Sequence, residues 1–256
     1  MKYVYLLLLA FLIVGCDDTP DNDTTNDTTI EDESPLLFSD QSIVRHLESK
    51  LEIPATEDYT YAIYREHING DDSLDYIVTV NLLDRAINNA VRDDALNTRS
   101  EQGFMGNYNF IILVDGAKKT FAEPLSVPSS AYGKLSVSFE NIRSEAYKDI
   151  VIDYRIINAC YRRFFTVLNG VARETFDTKI FSGLGDENPE AFDIRYATGT
   201  YSLAKDILIY KANLEEIQLE DPKKIYSIDP KITATEELER RWYFHDAQKK
   251  YFTQNP

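Results

Sequence analysis

Leu74-Asp75-Tyr76-Ile77-Val78 is the stretch whose reading decides the fold, because its form returns twice. Lys148-Asp149-Ile150-Val151-Ile152 and Lys205-Asp206-Ile207-Leu208-Ile209 each set one aspartate ahead of a β-branched or aliphatic run. Such runs favour strands, since branched side chains fit a pleated, half-buried surface. Each run also follows a stretch of alternating character: Tyr59 to Tyr64, Leu135 to Phe139, and Phe192 to Tyr196. Alternation with period two marks a strand with one buried face. Each block therefore reads as strand, polar loop ending in Asp, strand.

A second element recurs further along. Tyr108 to Val114 leads to Asp115-Gly116 and Phe121, Phe164 to Leu168 leads to Asn169-Gly170 and Phe176, and Trp242 to His245 leads to Asp246-Ala247 and Phe252. Asp-Gly and Asn-Gly between apolar runs predict type I′ hairpin turns, which need positive φ at both central residues. The third copy lacks the glycine. The whole unit occurs at about 58–125, 134–180 and 192–253. The first copy inserts Asp84 to Asn107, with a helical stripe of Leu83, Ile87, Ala90 and Val91, and the third inserts Leu214 to Thr235. A unit of this size buries a face only against its neighbours, as in stacked or radial β-repeat folds. The expectation is a mainly β domain over residues 36–256, made of three degenerate antiparallel β-repeat units. A short helix precedes them, capped by Ser39 or Asp40, with Ile43, Val44, Leu47 and Leu51 on one face and Pro54 ending it.

The first loop, His67-Ile68-Asn69-Gly70-Asp71-Asp72-Ser73-Leu74-Asp75-Tyr76-Ile77-Val78, resembles the FG-GAP or VCBS type of repeat. In that family oxygen ligands alternate along an Asp-x-Asn-Gly-Asp-Gly-x-x-Asp loop, a pattern suited to Ca²⁺. The resemblance implies Asn69, Asp71 and Asp75 as side-chain calcium ligands. His67 stands where the first Asp belongs, and Asp72 replaces a glycine. The second loop carries Asn141, Arg143 and Glu145 at the equivalent positions, and an Arg there opposes a cation; the third carries Thr198, Thr200 and Ser202. Only the last aspartate persists. Asp75, Asp149 and Asp206 are therefore expected to brace turns by accepting hydrogen bonds from loop backbone N–H groups, with similar weight in all three copies. The family mostly builds β-propellers and adhesive or binding modules. Three units are too few to close a ring, so the resemblance implies an open or incomplete propeller-like arrangement.

The N-terminus has a different character. Lys2 precedes an uninterrupted apolar run of eleven residues, Val4 to Val14, long enough for a signal-peptide core and too short to span a bilayer. Leu12-Ile13-Val14-Gly15-Cys16 resembles the lipobox of bacterial lipoproteins. The resemblance implies that residues 1–15 are a cleaved signal peptide and that Cys16 becomes a lipidated N-terminus held by two or more acyl chains, enough for stable anchoring. Residues 16–35, rich in Asp, Thr and Asn, read as a disordered acidic tether. Asp17-Asp18 behind the cysteine resembles the surface-export signal of Bacteroidota lipoproteins. It implies the outer membrane, with the cell surface or a periplasm-facing anchor as the two orientations.

A net charge of −16 opposes the phosphate backbone of nucleic acid, which demands a basic face. With Cys16 lipidated, Cys160 has no partner and reads as a buried thiol among Ile156, Ile157, Phe164 and Phe165. His46, His67 and His245 show no metal-ligand spacing, and neither a Gly-x-Ser-x-Gly elbow nor a phosphate-cradling glycine loop occurs. The expected function is a non-catalytic, membrane-anchored binding or interaction protein for a protein or glycan ligand, with Ca²⁺ the one cofactor the loop suggests. The alternative is an inhibitor or immunity lipoprotein neutralising a basic toxin. A glycan-acting enzyme ranks third.

Overall fold

A computed structural model describes residues 39–217, 225–226 and 228–253. The signal segment, Cys16 and the tether lie outside the described residues.

Ser39 accepts a hydrogen bond from the Ser42 N–H and caps helix α1 (Asp40–Lys50), which buries Ile43 and Leu47 and is over before Pro54. Strands β1 (Thr60–Glu66) and β2 (Asp75–Asn81) pair antiparallel. Helices α2 (Leu83–Arg92) and α3 (Leu96–Glu101) fill the insertion expected there. The buried side chains of α2 are Ala86 and Ala90, while Val91 is exposed. The apolar stripe therefore lies to one side of the one expected. Short strands β3 (Met105–Gly106) and β7 (Ser129–Ser130) form a two-stranded ribbon. The first sheet runs β1-β2-β4-β5, with β4 spanning Asn109–Asp115 and β5 Thr120–Phe121, and β6 (Leu125–Ser126) also paired to β4.

The second sheet is an eight-stranded meander: β8 (Ser136–Glu140), β9 (Asp149–Ile156), β10 (Ala159–Leu168), β11 (Val171–Ser182), β12 (Glu190–Ala197), β13 (Asp206–Leu214), β14 (Ile232–His245) and β15 (Lys250–Phe252). Between β11 and β12 the ladder is only Phe181↔Ala191 and Ser182↔Glu190. The meander is thus two four-stranded halves joined at one corner. None of the sheets closes on itself, and the protein is mainly β with few helices.

The cores follow the alternation of the strands. Ile77, Ile111 and Leu113 of the first sheet meet Ile150, Ile152 and Phe165 of β9 and β10. The opposite face of that half sends Val151, Phe164 and Phe176 against Ile207, Ile209, Phe244 and Tyr251. Helix α1 covers the other face of the first sheet, laying Ile43 and Leu47 on Tyr76, Val78, Ile112 and Val114. The layers run α1, first sheet, β8–β11, β12–β15.

The hairpins correct part of the sequence reading. Asn169 (φ 53°) and Gly170 (φ 75°) form a two-residue turn between Leu168 and Val171, as expected. Asp115-Gly116 does not. Asp115 pairs with Thr120 across a four-residue turn whose positive φ falls on Lys119, at 55°. His245 pairs with Lys250 in the same way, with Lys249 at 53°. Such a turn needs no glycine φ at its first two positions, so Asp246-Ala247 suffices in the third copy. Gly116 is required for a different reason: a Cβ there would lie 1.9 Å from the Leu74 carbonyl oxygen.

Candidate functional site

The three aspartates open β2, β9 and β13. Asp75 pairs with Glu66, Asp149 with Glu140 and Asp206 with Ala197, so each strand pair encloses a loop of eight residues. All three carboxylates are buried, yet their partners differ.

In the first loop the Asn69 Oδ1 accepts from the Asp71 N–H at 2.8 Å and the Asp71 Oδ1 from the Ser73 N–H at 2.9 Å. Asp75 Oδ1 accepts from the Gly116 N–H at 2.9 Å. Asn69 and Asp71 thus use oxygens to shape their own loop, as Asx side chains do in turns, whereas Asp75 Oδ1 reaches the turn after β4. Asp75 Oδ2 is buried without a hydrogen-bond partner. Burial, with Asp71 and Asp115 nearby, pushes this carboxyl up to about 6. The adjacent cation, Lys118, is held by Asp115 at 2.6 Å.

The second and third loops supply an arginine instead. Asp149 accepts from the Arg143 backbone N–H at 2.9 Å and from its Nε at 2.8 Å, with both side chains buried. Asp206 Oδ2 accepts from the Thr200 N–H at 3.1 Å and from Arg241 Nη2 at 2.6 Å and Nε at 2.9 Å. Each of the three carboxylates accepts from a backbone N–H, as a turn brace does, but their further partners are not equivalent. Asp149 and Asp206 add an arginine to their backbone donor, Arg143 buried and Arg241 36% exposed, whereas Asp75 is a lone carboxyl on backbone donors. Arg241 stands on β14, far outside its loop, and no local pattern announces it. Among the described residues no group of three or more His, Cys, Asp or Glu side chains is placed to hold a metal ion.

The loops also clasp one another. The Lys148 N–H donates to the His67 carbonyl at 2.9 Å and the Lys205 N–H to the Ile142 carbonyl at 2.8 Å. Their ammonium groups reach Glu66 at 2.8 Å and Glu145 at 3.2 Å. Ile68 and Ile142, each seven residues before the loop aspartate, are buried in the cores between successive layers. The two ends break this pattern. Leu74 replaces the lysine in the first loop, which has no loop before it. Gly199 replaces the isoleucine in the third, where a Cβ would lie 2.1 Å from the Ala204 carbonyl.

The third loop instead ends the stack with an apolar tip. Tyr201 is 65% exposed and Leu203 100% exposed. The Tyr201 ring sits 5.0 Å from that of Tyr243, over which the Arg241 guanidinium lies at 5.6 Å. Tyr243 is opposite the exposed Phe252 across β14 and β15, and the Phe252 ring is 5.9 Å from His245. Exposed large apolar side chains in one strip mark an interaction surface, and Tyr and Arg are the residues that dominate such contacts. The repeat pattern in the sequence does not single this strip out. The signal was available: Tyr201 and Leu203 stand where the other loops carry Gly70 and Asp72, or Ser144 and Ala146.

The remaining candidates are structural. His46 stacks on Phe121, and His67 Nδ1 lies 3.1 Å from the Ser73 carbonyl. Cys160 is free and buried, and burial pushes its thiol up to about 11, well away from a reactive thiolate. Set against family models, curated proteins and solved structures, the chain finds no match in any of the three comparisons.

Proposed function

We propose that this protein is a lipid-anchored envelope lipoprotein whose folded part is a non-catalytic interaction module. It presents the third loop and the outer face of β14 and β15 to a protein partner. The carrying observation is the exposed Tyr201 and Leu203 tip, continuous with the Tyr243 and Phe252 rings. We read the three strand–loop–strand blocks as degenerate copies of one unit in an open, propeller-like stack. The covered first face and the substitutions at Leu74 and Gly199 support a stack that ends after three units. Capped at one end by α1, such a stack keeps its other end free for binding.

Photo-crosslinking in cells tests this reading. A crosslinking residue at position 203 or 201 is expected to trap one discrete protein adduct, and the same residue at the exposed Val91 none. Equal labelling at all three positions, or none at any, removes the protein-binding reading. Retention on a polysaccharide gel that Tyr201→Ala abolishes would move the ligand to a glycan.

The anchor has its own test. Cys16→Ala is expected to abolish fatty-acid labelling and release the protein from membranes or leave an uncleaved precursor. A variant labelled as strongly as the parent refutes the lipid attachment.

A further inference from the structure

One buried arginine among the described residues has no acid within ion-pair distance. Among the described residues Arg143, Arg162 and Arg241 face Asp149, Asp153 and Asp206, whereas Arg45, Arg173 and Arg240, which have no carboxylate, are exposed. Arg155 is 8% exposed, and no carboxylate of the described residues lies within ion-pair distance of it. Its Nη2 donates to the carbonyls of Ile225 at 2.6 Å and Ile228 at 2.9 Å, and its Nε has no partner. The guanidinium lies 4.6 Å from the Phe181 ring centroid. A buried guanidinium with no acid of the described residues in direct contact is costly, because burial removes its hydration.

Arg155 lines a cavity of about 410 Å³ between β9–β11 and the segment leading into β14. Phe181, Cys160 and Ile232 give the cavity an apolar wall, and the exposed Lys134 stands beside it. Arg162 also lines it but is consumed by Asp153 through two bonds of 2.7 and 2.8 Å. The exposed Asp229 is the other acid on the wall. Tyr226 pins the covering segment: its O–H donates to the Glu101 carbonyl at 3.3 Å, and its ring fills the space a Cβ on Gly103 would take.

We propose that this cavity is a binding site for a small monocarboxylate, whose charge is met by Arg155 and Lys134 and whose body lies against Phe181 and Ile232. The planar guanidinium suits the planar carboxylate. Asp153 and Asp229 on the wall disfavour a dianion. The site is separate from the aromatic strip on the last sheet and does not depend on it.

Titration calorimetry and melting curves with sodium benzoate, against benzamide and inorganic phosphate, test the proposal on the folded protein. Benzoate is expected to bind and raise the melting temperature with concentration, as any ligand of the native state alone does. Benzamide and phosphate are expected to bind at least roughly tenfold more weakly, the loss of one good charge-assisted contact. Arg155→Lys is expected to weaken benzoate by a similar factor. Because Arg155 also holds two carbonyls, Ile232→Trp serves as the second variant: it fills the cavity, leaves Arg155 in place, and is expected to abolish binding. Benzoate that binds no better than benzamide, phosphate that binds as well, or unchanged benzoate binding in Ile232→Trp overturns the assignment.

Discussion

Asp149→Asn is expected to lower the free energy of unfolding by about 3 to 5 kcal/mol, the range for removing one partner of a buried ion pair. The reason lies with the residue left behind. Arg143 is as buried as Asp149, so its guanidinium has no route to water when the carboxylate goes. Its Nη2 is already without a partner, and the variant would leave Nε with only a neutral amide oxygen. Asp206→Asn is expected to cost less, about 1 to 3 kcal/mol, the scale of an unpaired buried acceptor or donor. Arg241 is 36% exposed and can turn to solvent. Urea unfolding with an unchanged slope measures both losses. A double-mutant cycle with Arg143→Met isolates the pair, since residues in contact depart from additivity while distant ones do not. An Asp149→Asn loss below about 1 kcal/mol, within the range of an ordinary surface substitution, would show that the pair is not what holds this loop.

The contrast between these loops was only half legible in the sequence. Asp75, Asp149 and Asp206 were placed correctly at strand starts, because an aspartate before a branched run reports a local event, the change from loop to ladder. Helix α1 was legible for the same reason: Ser39, the stripe of Ile43 and Leu47, and Pro54 all lie within one short window. The partners of the aspartates were not. Locally Arg143 reads as an obstacle to a cation, but its role as the ion-pair partner of Asp149 depends on the loop folding back on itself. Arg241 reaches Asp206 from a strand paired through the register of β13 and β14, and such pairing leaves no trace in local composition. Asp115-Gly116 signals a turn type by its local pattern, whereas the tight contact of Gly116 with the Leu74 carbonyl comes from a separate loop. Arg155 shows the same limit. Nothing in Tyr154-Arg155-Ile156 distinguishes it from the paired Arg162 until the acids around both are located in space.

Asp75 is expected to give the opposite pH behaviour from an ordinary paired carboxylate. Its carboxyl is raised from the usual value of 3.8 to about 6, by burial first and by Asp71 and Asp115 after it, against the pull of the Gly116 and Ile68 N–H groups. The folded protein therefore keeps a proton that the unfolded chain has already released between about pH 4 and 6. Stability contributed by this group falls as pH rises through that window, and is level above it. The full penalty is about 3 kcal/mol, from a rise of roughly two units at 1.36 kcal/mol each. Asp75→Asn removes the titration while its side-chain oxygen still accepts from Gly116. The stability of Asp75→Asn relative to the parent should accordingly climb by about 2 to 3 kcal/mol from pH 4 to pH 7, whatever constant offset the amide adds. Taking the difference cancels the carboxylates remote from position 75, which titrate alike in both proteins, while Asp71 and Asp115, coupled to Asp75, contribute to the climb. Urea midpoints at closely spaced pH values, each with calcium and with chelator, read the result. A bound cation would favour the charged carboxylate and reverse the slope, so a difference curve that falls with pH in calcium and rises in chelator would make Asp75 a metal ligand, with Asn69 and Asp71 beside it. A flat curve in both would show that the lone carboxyl is solvated in a way its burial does not allow. A rise in both leaves the first loop as a structural turn that holds a proton where the other two hold an arginine.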